Sequence, residues 1–265
     1  MSRIPVWPFE SGGLTLKNLA FATLTLAPLA VIYLAGQNIY RHYTAPDVHF
    51  MQASQLRIDE TVNVRDRKKA FFDFMRPVVE AENRRILKLR RRILAARQAG
   101  QRPAWVAAAA KDYGIEWSGN EWRALLRRVD VLPLELALVQ SANESSWGRS
   151  RFAQQGNNMF GQWCFRKGCG MVPKRRTVGT SHEVAAYGTV NASVRAYLKN
   201  INTTPAYRLL RELRQRARRR GMEPTASQLA GGLAPYSERG AAYVSDIRAM
   251  LKSNRALMLD ADTGS

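Results

Sequence analysis

Residues 131–161 read VLPLELALVQSANESSWGRSRFAQQGNNMFG. This stretch begins as a helix and ends as a loop that cannot be one. Pro133 suits the first helical position, where its missing N–H would be unpaired anyway, and Glu135 sits in the positive first turn. Leu134, Ala137, Leu138, Ser141 and Ala142 then recur at helical spacing and predict one buried stripe. Beyond Glu135 no charge interrupts the run until Glu144, which is followed by Trp147 and Gly148. A carboxylate at the negative end of an apolar helix is disfavoured as an anion by burial and by the helix dipole alike. Both effects raise its pKa, as a general acid working near neutral pH requires. The competing reading is a solvated glutamate where the helix leaves the core.

The neighbouring residues shift that balance. N-E-S-S-W-G at 143–148 and G-N-N-M-F-G at 156–161 resemble paired motifs of the bacterial glucosaminidases, cell-wall hydrolases that include the flagellar rod-cap enzyme. The likeness is nearest to the Bax-like branch. It continues through C-F-R-K-G-C-G-M-V-P at 164–173, Y-L-K-N-I-N-T-T-P-A-Y at 197–207 and Y-S-E-R-G-A-A-Y at 236–243. Several motifs in one order, across roughly residues 65–255, carry more weight than any one of them. The resemblance implies a mainly α, lysozyme-like domain with a small β-hairpin lobe that cleaves peptidoglycan glycan strands after N-acetylglucosamine. It places the family's catalytic acid on Glu144 and a loop tyrosine on Tyr236, with Tyr243 as the later tyrosine of the same segment. Pro235 stands where that loop usually has glycine, and Glu238 where it usually has threonine.

Glycosidic cleavage needs a proton for the leaving oxygen and support for an oxocarbenium-like centre. Glu183, in the expected hairpin, is the candidate for the second task; a solvated hairpin carboxylate is the other reading. Without a second carboxylate, the substrate's own N-acetyl group would act as nucleophile. Trp147, Phe160 and Trp163 are candidates for stacking on sugar faces, or else core aromatics. Trp147 would also make the acid's surroundings apolar. Asn157 and Asn158 would donate to sugar hydroxyls or turn the backbone.

Of the 265 residues, 46% are hydrophobic, which fits a globular protein, whereas the formal net charge of +20 does not pass as ordinary. Such a charge favours a polyanionic neighbour: nucleic acid, anionic lipid or a wall polymer. No nucleic-acid-binding pattern is present, so no such partner is expected. Cys164 and Cys169 form a lone C-x4-C, half a zinc site at most, and His42, His49 and His182 lack metal-ligand spacing. A disulfide is the simpler reading for an exported domain, and two buried thiols for a cytosolic one. No metal or organic cofactor is expected.

Along the chain, residues 1–18 are a polar lead. Residues 19–36, LAFATLTLAPLAVIYLAG, carry no charge and as a helix would span roughly 27 Å, about one hydrocarbon core. An uncleaved transmembrane signal anchor is favoured over a cleaved signal peptide, whose apolar core is usually shorter. That reading places a single-pass protein in the inner membrane with its catalytic domain, residues 65–259, in the periplasm. Residues 44–63 read as a linker. A long helix starts at Arg65, with Pro77 expected to kink or divide it. Further helices are expected at 103–114, 121–129, 191–202, 207–220, 227–233 and 241–259, and a hairpin at 171–188. The helix at 207–220 holds seven arginines, read as a surface for an anionic polymer or as a solvated face. The rival functions are a muramidase or lytic transglycosylase on the same fold, and a non-catalytic wall- or membrane-binding module.

Overall fold

The computed structural model describes residues 50–259 apart from 58, 60 and 175–180. The described residues belong to the second of the two units into which the chain divides at Asp47. The expected anchor at 19–36, the lead before it and the first part of the linker lie outside the described residues. Among the described residues, no helix is long and apolar enough to cross a membrane.

The longest element, α1 (Val64–Gln98), is capped by Asn63, whose side chain accepts the Asp66 N–H. It runs unbroken through Pro77, so the expected division does not occur. Tertiary packing outweighs the local cost of the missing N–H, because Met75, Val78 and Val79 around Pro77 are all in the core. The first half of α1 buries Phe71, Phe72 and Met75 in the main core. Its second half contributes Ile93 and Ala96 to a smaller core with α2 (Ala104–Asp112) and α3 (Trp122–Arg128).

The 131–161 stretch supplies α4 (Leu134–Ser145), packed against α1. Its burial departs from the expected stripe: Leu136, Val139 and Gln140 are as buried as Ala137, Leu138, Ser141 and Ala142. A helix this free of charge can be enclosed on nearly every side. Pro133 is its N-cap, one residue outside the helix. The chain then turns through Ser146, Trp147 and Gly148, all at positive φ. The Ser145 hydroxyl fastens the turn by accepting the Gly148 N–H at 2.7 Å.

The turn leads into α5 (Arg151–Gly156) and a three-stranded sheet. Its strands are β1 (Trp163–Cys164), β2 (Gly170–Met171) and β3 (Glu183–Ala185), with β3 central and antiparallel to both neighbours. The small lobe is therefore a sheet with one more strand than the expected hairpin. The Cys164–Cys169 disulfide closes the loop between β1 and β2.

Five helices complete the unit: α6 (Val190–Thr203), α7 (Arg208–Arg219), α8 (Ala226–Ala230), α9 (Ala241–Ser253) and α10 (Arg255–Leu259). The expected single helix at 241–259 breaks at Asn254, whose side chain donates to the Met250 carbonyl.

Two arginines of α7 depart from the surface reading: Arg211 and Arg214 point inward, while Arg208, Arg216 and Arg219 are exposed. Arg214 is fully buried and donates to the carbonyls of Arg127, Asp130 and Val131 and to Asn202 Oδ1. Asp130, also buried, lies within ion-pair distance of Arg90, Arg214 and Arg218. Arg90, Arg214 and Arg218 thus bind α1, α7 and the loop before α4 together.

Candidate active site

Glu144 occupies the last turn of α4, half-buried at the edge of a cleft of about 970 Å³. Gly161, Trp163, Phe165, Tyr207 and Tyr236 are among the other residues lining it. Burial pushes the Glu144 carboxyl above the ordinary carboxylate range, while hydrogen bonds from Asn143 and Tyr243 pull the other way. Both donors reach the same oxygen, Oε1: Asn143 Nδ2 at 3.1 Å and the Tyr243 hydroxyl at 2.9 Å. Oε2 has no hydrogen-bond partner among the described residues. A Cβ on Gly161 would stand 3.8 Å from it, so the absence of a side chain there keeps this oxygen approachable.

Behind Oε1 runs a chain of buried polar groups. The Tyr197 hydroxyl donates to Gln140 Oε1 at 2.5 Å, and Gln140 Nε2 donates to the Tyr243 hydroxyl at 3.0 Å. Gln140 lies one helical turn before Glu144, so a neutral amide inside α4 orients the tyrosine that orients the Glu144 carboxyl. Burial, reinforced by the charge of Glu144, holds the Tyr243 and Tyr236 hydroxyls far above the usual phenol range. They remain neutral donors throughout the accessible pH range. The Tyr236 ring stacks on Tyr243 at 5.5 Å, and its hydroxyl donates to the Phe160 carbonyl at 3.0 Å. Tyr236 thus joins the 234–236 turn to the G-N-N-M-F-G loop.

Not every sequence candidate reaches this place. Glu183 is buried in β3, with Oε1 accepting the Gly168 N–H at 2.9 Å and Oε2 the Gly170 N–H at 2.8 Å. It braces the disulfide loop and does not line the cleft. Glu183 and the two sulfurs lie within 4.8 Å of one another, but sulfurs joined in a disulfide are not thiolate ligands. Trp147 also stands apart from the cleft. Its ring packs edge-on against Phe71 and Phe72 at 5.7 and 5.3 Å, under the ammonium of Lys68.

Asn158 is buried with its hydrogen-bonding capacity used: Nδ2 donates to the carbonyls of Gln162 and Ala185, and Oδ1 accepts from the N–H groups of Phe160 and Gln162. It shapes the loop and leaves nothing for a sugar. Asn157, at φ +51°, pins the loop to Ala53 and Tyr187. Phe160 borders the cleft but is 1% exposed, its ring stacked on Tyr197 at 3.9 Å.

The exposed aromatics at the cleft are Trp163, stacked on His182 at 4.1 Å, and Phe165. Phe165 and Glu238 escaped the sequence reading as site residues. The signal was present in both: an aromatic inside the C-F-R-K-G-C loop, and a carboxylate where the motif usually has threonine. Glu238 and Glu144 are the carboxylates that line the cleft among the described residues.

Residues 119–256 match the family described as mannosyl-glycoprotein endo-beta-N-acetylglucosaminidase. The chain is 34% identical over 200 residues to Protein bax of Escherichia coli strain K12, which covers 72% of this chain and 71% of that one. No solved structure matches. The chain therefore belongs to the glucosaminidase family, in its Bax-like branch, and is a glycoside hydrolase of the peptidoglycan-related kind.

Proposed function

We propose that the protein hydrolyses the β-1,4 bond after N-acetylglucosamine in peptidoglycan, with Glu144 as the proton donor. The observation that carries this reading is the asymmetry of the Glu144 carboxyl. Two donors hold Oε1, burial favours the protonated form, and Oε2, without a hydrogen-bond partner among the described residues, belongs to a side chain that lines the cleft. The acid proton therefore resides on Oε2 and passes to the leaving glycosidic oxygen as the bond to the anomeric carbon breaks. Trp163 and Phe165 offer apolar faces to the sugar rings.

With both oxygens of Glu183 engaged inside the sheet, the substrate's acetamido oxygen is the nucleophile in this proposal. It attacks the anomeric carbon, and water then opens the cyclic intermediate, with Glu144 taking back a proton. Glu238 favours a second route, in which its carboxylate supports the oxocarbenium centre from the rim. Glu238→Gln separates the two: the acetamido route expects less than about a threefold change in kcat, the carboxylate route a loss of a hundredfold or more.

Localisation completes the proposal. Residues 19–36 would anchor the chain in the inner membrane with the domain in the periplasm, a placement supported by the disulfide, which persists in oxidising compartments. Resistance to alkaline extraction, with protease access in spheroplasts but not in intact cells, is the expected outcome.

The deciding experiment digests purified peptidoglycan with the full-length chain and with Glu144→Gln, and reads the products by mass spectrometry. Fragments ending in reducing N-acetylglucosamine, reduced about a hundredfold or more in the variant, are expected. Reducing N-acetylmuramic or 1,6-anhydro ends would instead identify a muramidase or a lytic transglycosylase. Intact sacculi that retain both proteins equally would identify a binding module.

A further inference from the structure

Helix α6 has a cavity on each side. One is the Glu144 cleft; the other, about 520 Å³, lies among α1, α2 and α6. Ala196 and Lys199 line both, so they form the ridge between them. The second cavity has an apolar floor that includes Ile86, Leu89 and Leu198. Its wall is built around Glu82, a carboxylate only 2% exposed that holds two guanidinium groups. Arg195 donates to it through Nε at 2.9 Å and Nη2 at 2.8 Å, and Arg85 through Nη1 at 3.0 Å. Both arginines remain close to half exposed, 47% and 43%. Nη1 of Arg195 has no hydrogen-bond partner among the described residues. Lys199 lies over the Tyr113 ring at 4.2 Å and pairs with Asp112 at 2.6 Å. Three cations thus face two carboxylates, and a buried anion has fixed two of the cations in place with donors to spare. Guanidinium forks held in this way favour carboxylate ligands, because their ordering entropy has been met before the ligand arrives.

We propose that this cavity binds the carboxylate-bearing peptide stems of the glycan that the neighbouring cleft cuts, an inference that rests on the peptidoglycan reading above. The sugar backbone offers no reason for an arginine-walled groove with an aliphatic floor. Peptide stems do: they carry free carboxylates and small alkyl side chains, and hang from every second sugar. A strand lying against Glu144 passes its stem over the Ala196–Lys199 ridge into the second cavity. The chain consequently favours peptide-bearing glycan over stripped glycan.

The test compares glycan strands carrying their stems with the same strands stripped by an amidase, using the full-length chain. The wild type should show a roughly tenfold higher kcat/KM on stem-bearing strands, expressed in KM. Arg85→Ala, and Ala192→Trp, which fills the cavity while sparing every ion pair, should abolish that preference and leave stripped-strand hydrolysis unchanged. Equal rates on both strands in the wild type, or variants that slow both strands equally, would overturn the proposal.

A binding readout separates this claim from the catalytic one. Saturation-transfer NMR with a disaccharide–tetrapeptide should label the peptide protons in Glu144→Gln and lose them in Glu144→Gln/Ala192→Trp. Peptide labelling with no hydrolysis of either strand would uphold the cavity and sink the hydrolase reading. Hydrolysis without peptide labelling would sink the cavity and leave the hydrolase reading standing, and labelling that survives Ala192→Trp would sink the cavity alone.

Discussion

Because Asn143 and Tyr243 both donate to Oε1 of Glu144, removing one donor has a direction that can be worked out. A hydrogen bond to a carboxylate favours its charged form, so Tyr243→Phe should raise the Glu144 pKa further. The alkaline limb of kcat/KM would then move to higher pH, while the plateau falls about fivefold to tenfold as Oε2 loses its fixed orientation. A pH–rate profile of the purified chain reads both changes. Stability follows from the same shift. A carboxyl whose folded pKa exceeds its unfolded value is most stabilising in acid, and its contribution is lost as pH rises through the folded value. Glu144→Gln should therefore melt higher than the wild type at neutral pH and lose that advantage in acid, as thermal melts across this range would show. The place of Glu144 at the cleft was legible because it ends a run that carries no charge after Glu135, beside a known motif. Gln140 was not: in a list of residues it is one more neutral side chain, and only the positions of Tyr197 and Tyr243 give it work.

Helix α7 and the small sheet show what periodicity conceals. Six arginines in one helix, with Arg220 just beyond it, look like a solvated face, yet Arg211 and Arg214 share their inward side with Leu210 and Ala217. The i, i+3, i+7 spacing of Arg211, Arg214 and Arg218 was a readable stripe. Asp130, the anionic partner of Arg214 and Arg218, lies more than eighty residues earlier and could not be paired by sequence. Removing that partner leaves buried guanidinium charge uncompensated, so Asp130→Ala should cost about 3–5 kcal/mol in denaturant unfolding. In the sheet, the disulfide and Glu183 hold β1 and β2 against β3, and Trp163 immediately precedes the first cysteine. The double Cys164→Ser/Cys169→Ser variant should lose about 2 kcal/mol on the chain-entropy argument. It should also raise KM for glycan with kcat largely kept, because the aromatic edge loosens while the Tyr243–Glu144 pair is untouched.

At the scale of the whole unit, the order of the motifs was legible and their meeting was not. Glu144, Trp163 and Tyr236 line one cleft from separate segments, which linear spacing records without showing the enclosure. Most helix positions came through because caps, prolines and apolar recurrence act locally, although α5 falls in a stretch read as loop and the helix expected at 241–259 is two. Pro77 misled for the same reason: its local cost was real, but the packing that overrides it involves distant residues. That continuity matters for how the protein comes apart. One uninterrupted helix of 35 residues, about 52 Å at 1.5 Å per residue, is built into both apolar cores. Neither core can dissolve without fraying a backbone that the other is holding, so the two are thermodynamically one body. Scanning calorimetry of the domain should give a single endotherm whose van't Hoff and calorimetric enthalpies agree, with no separate early loss of the α2–α3 end.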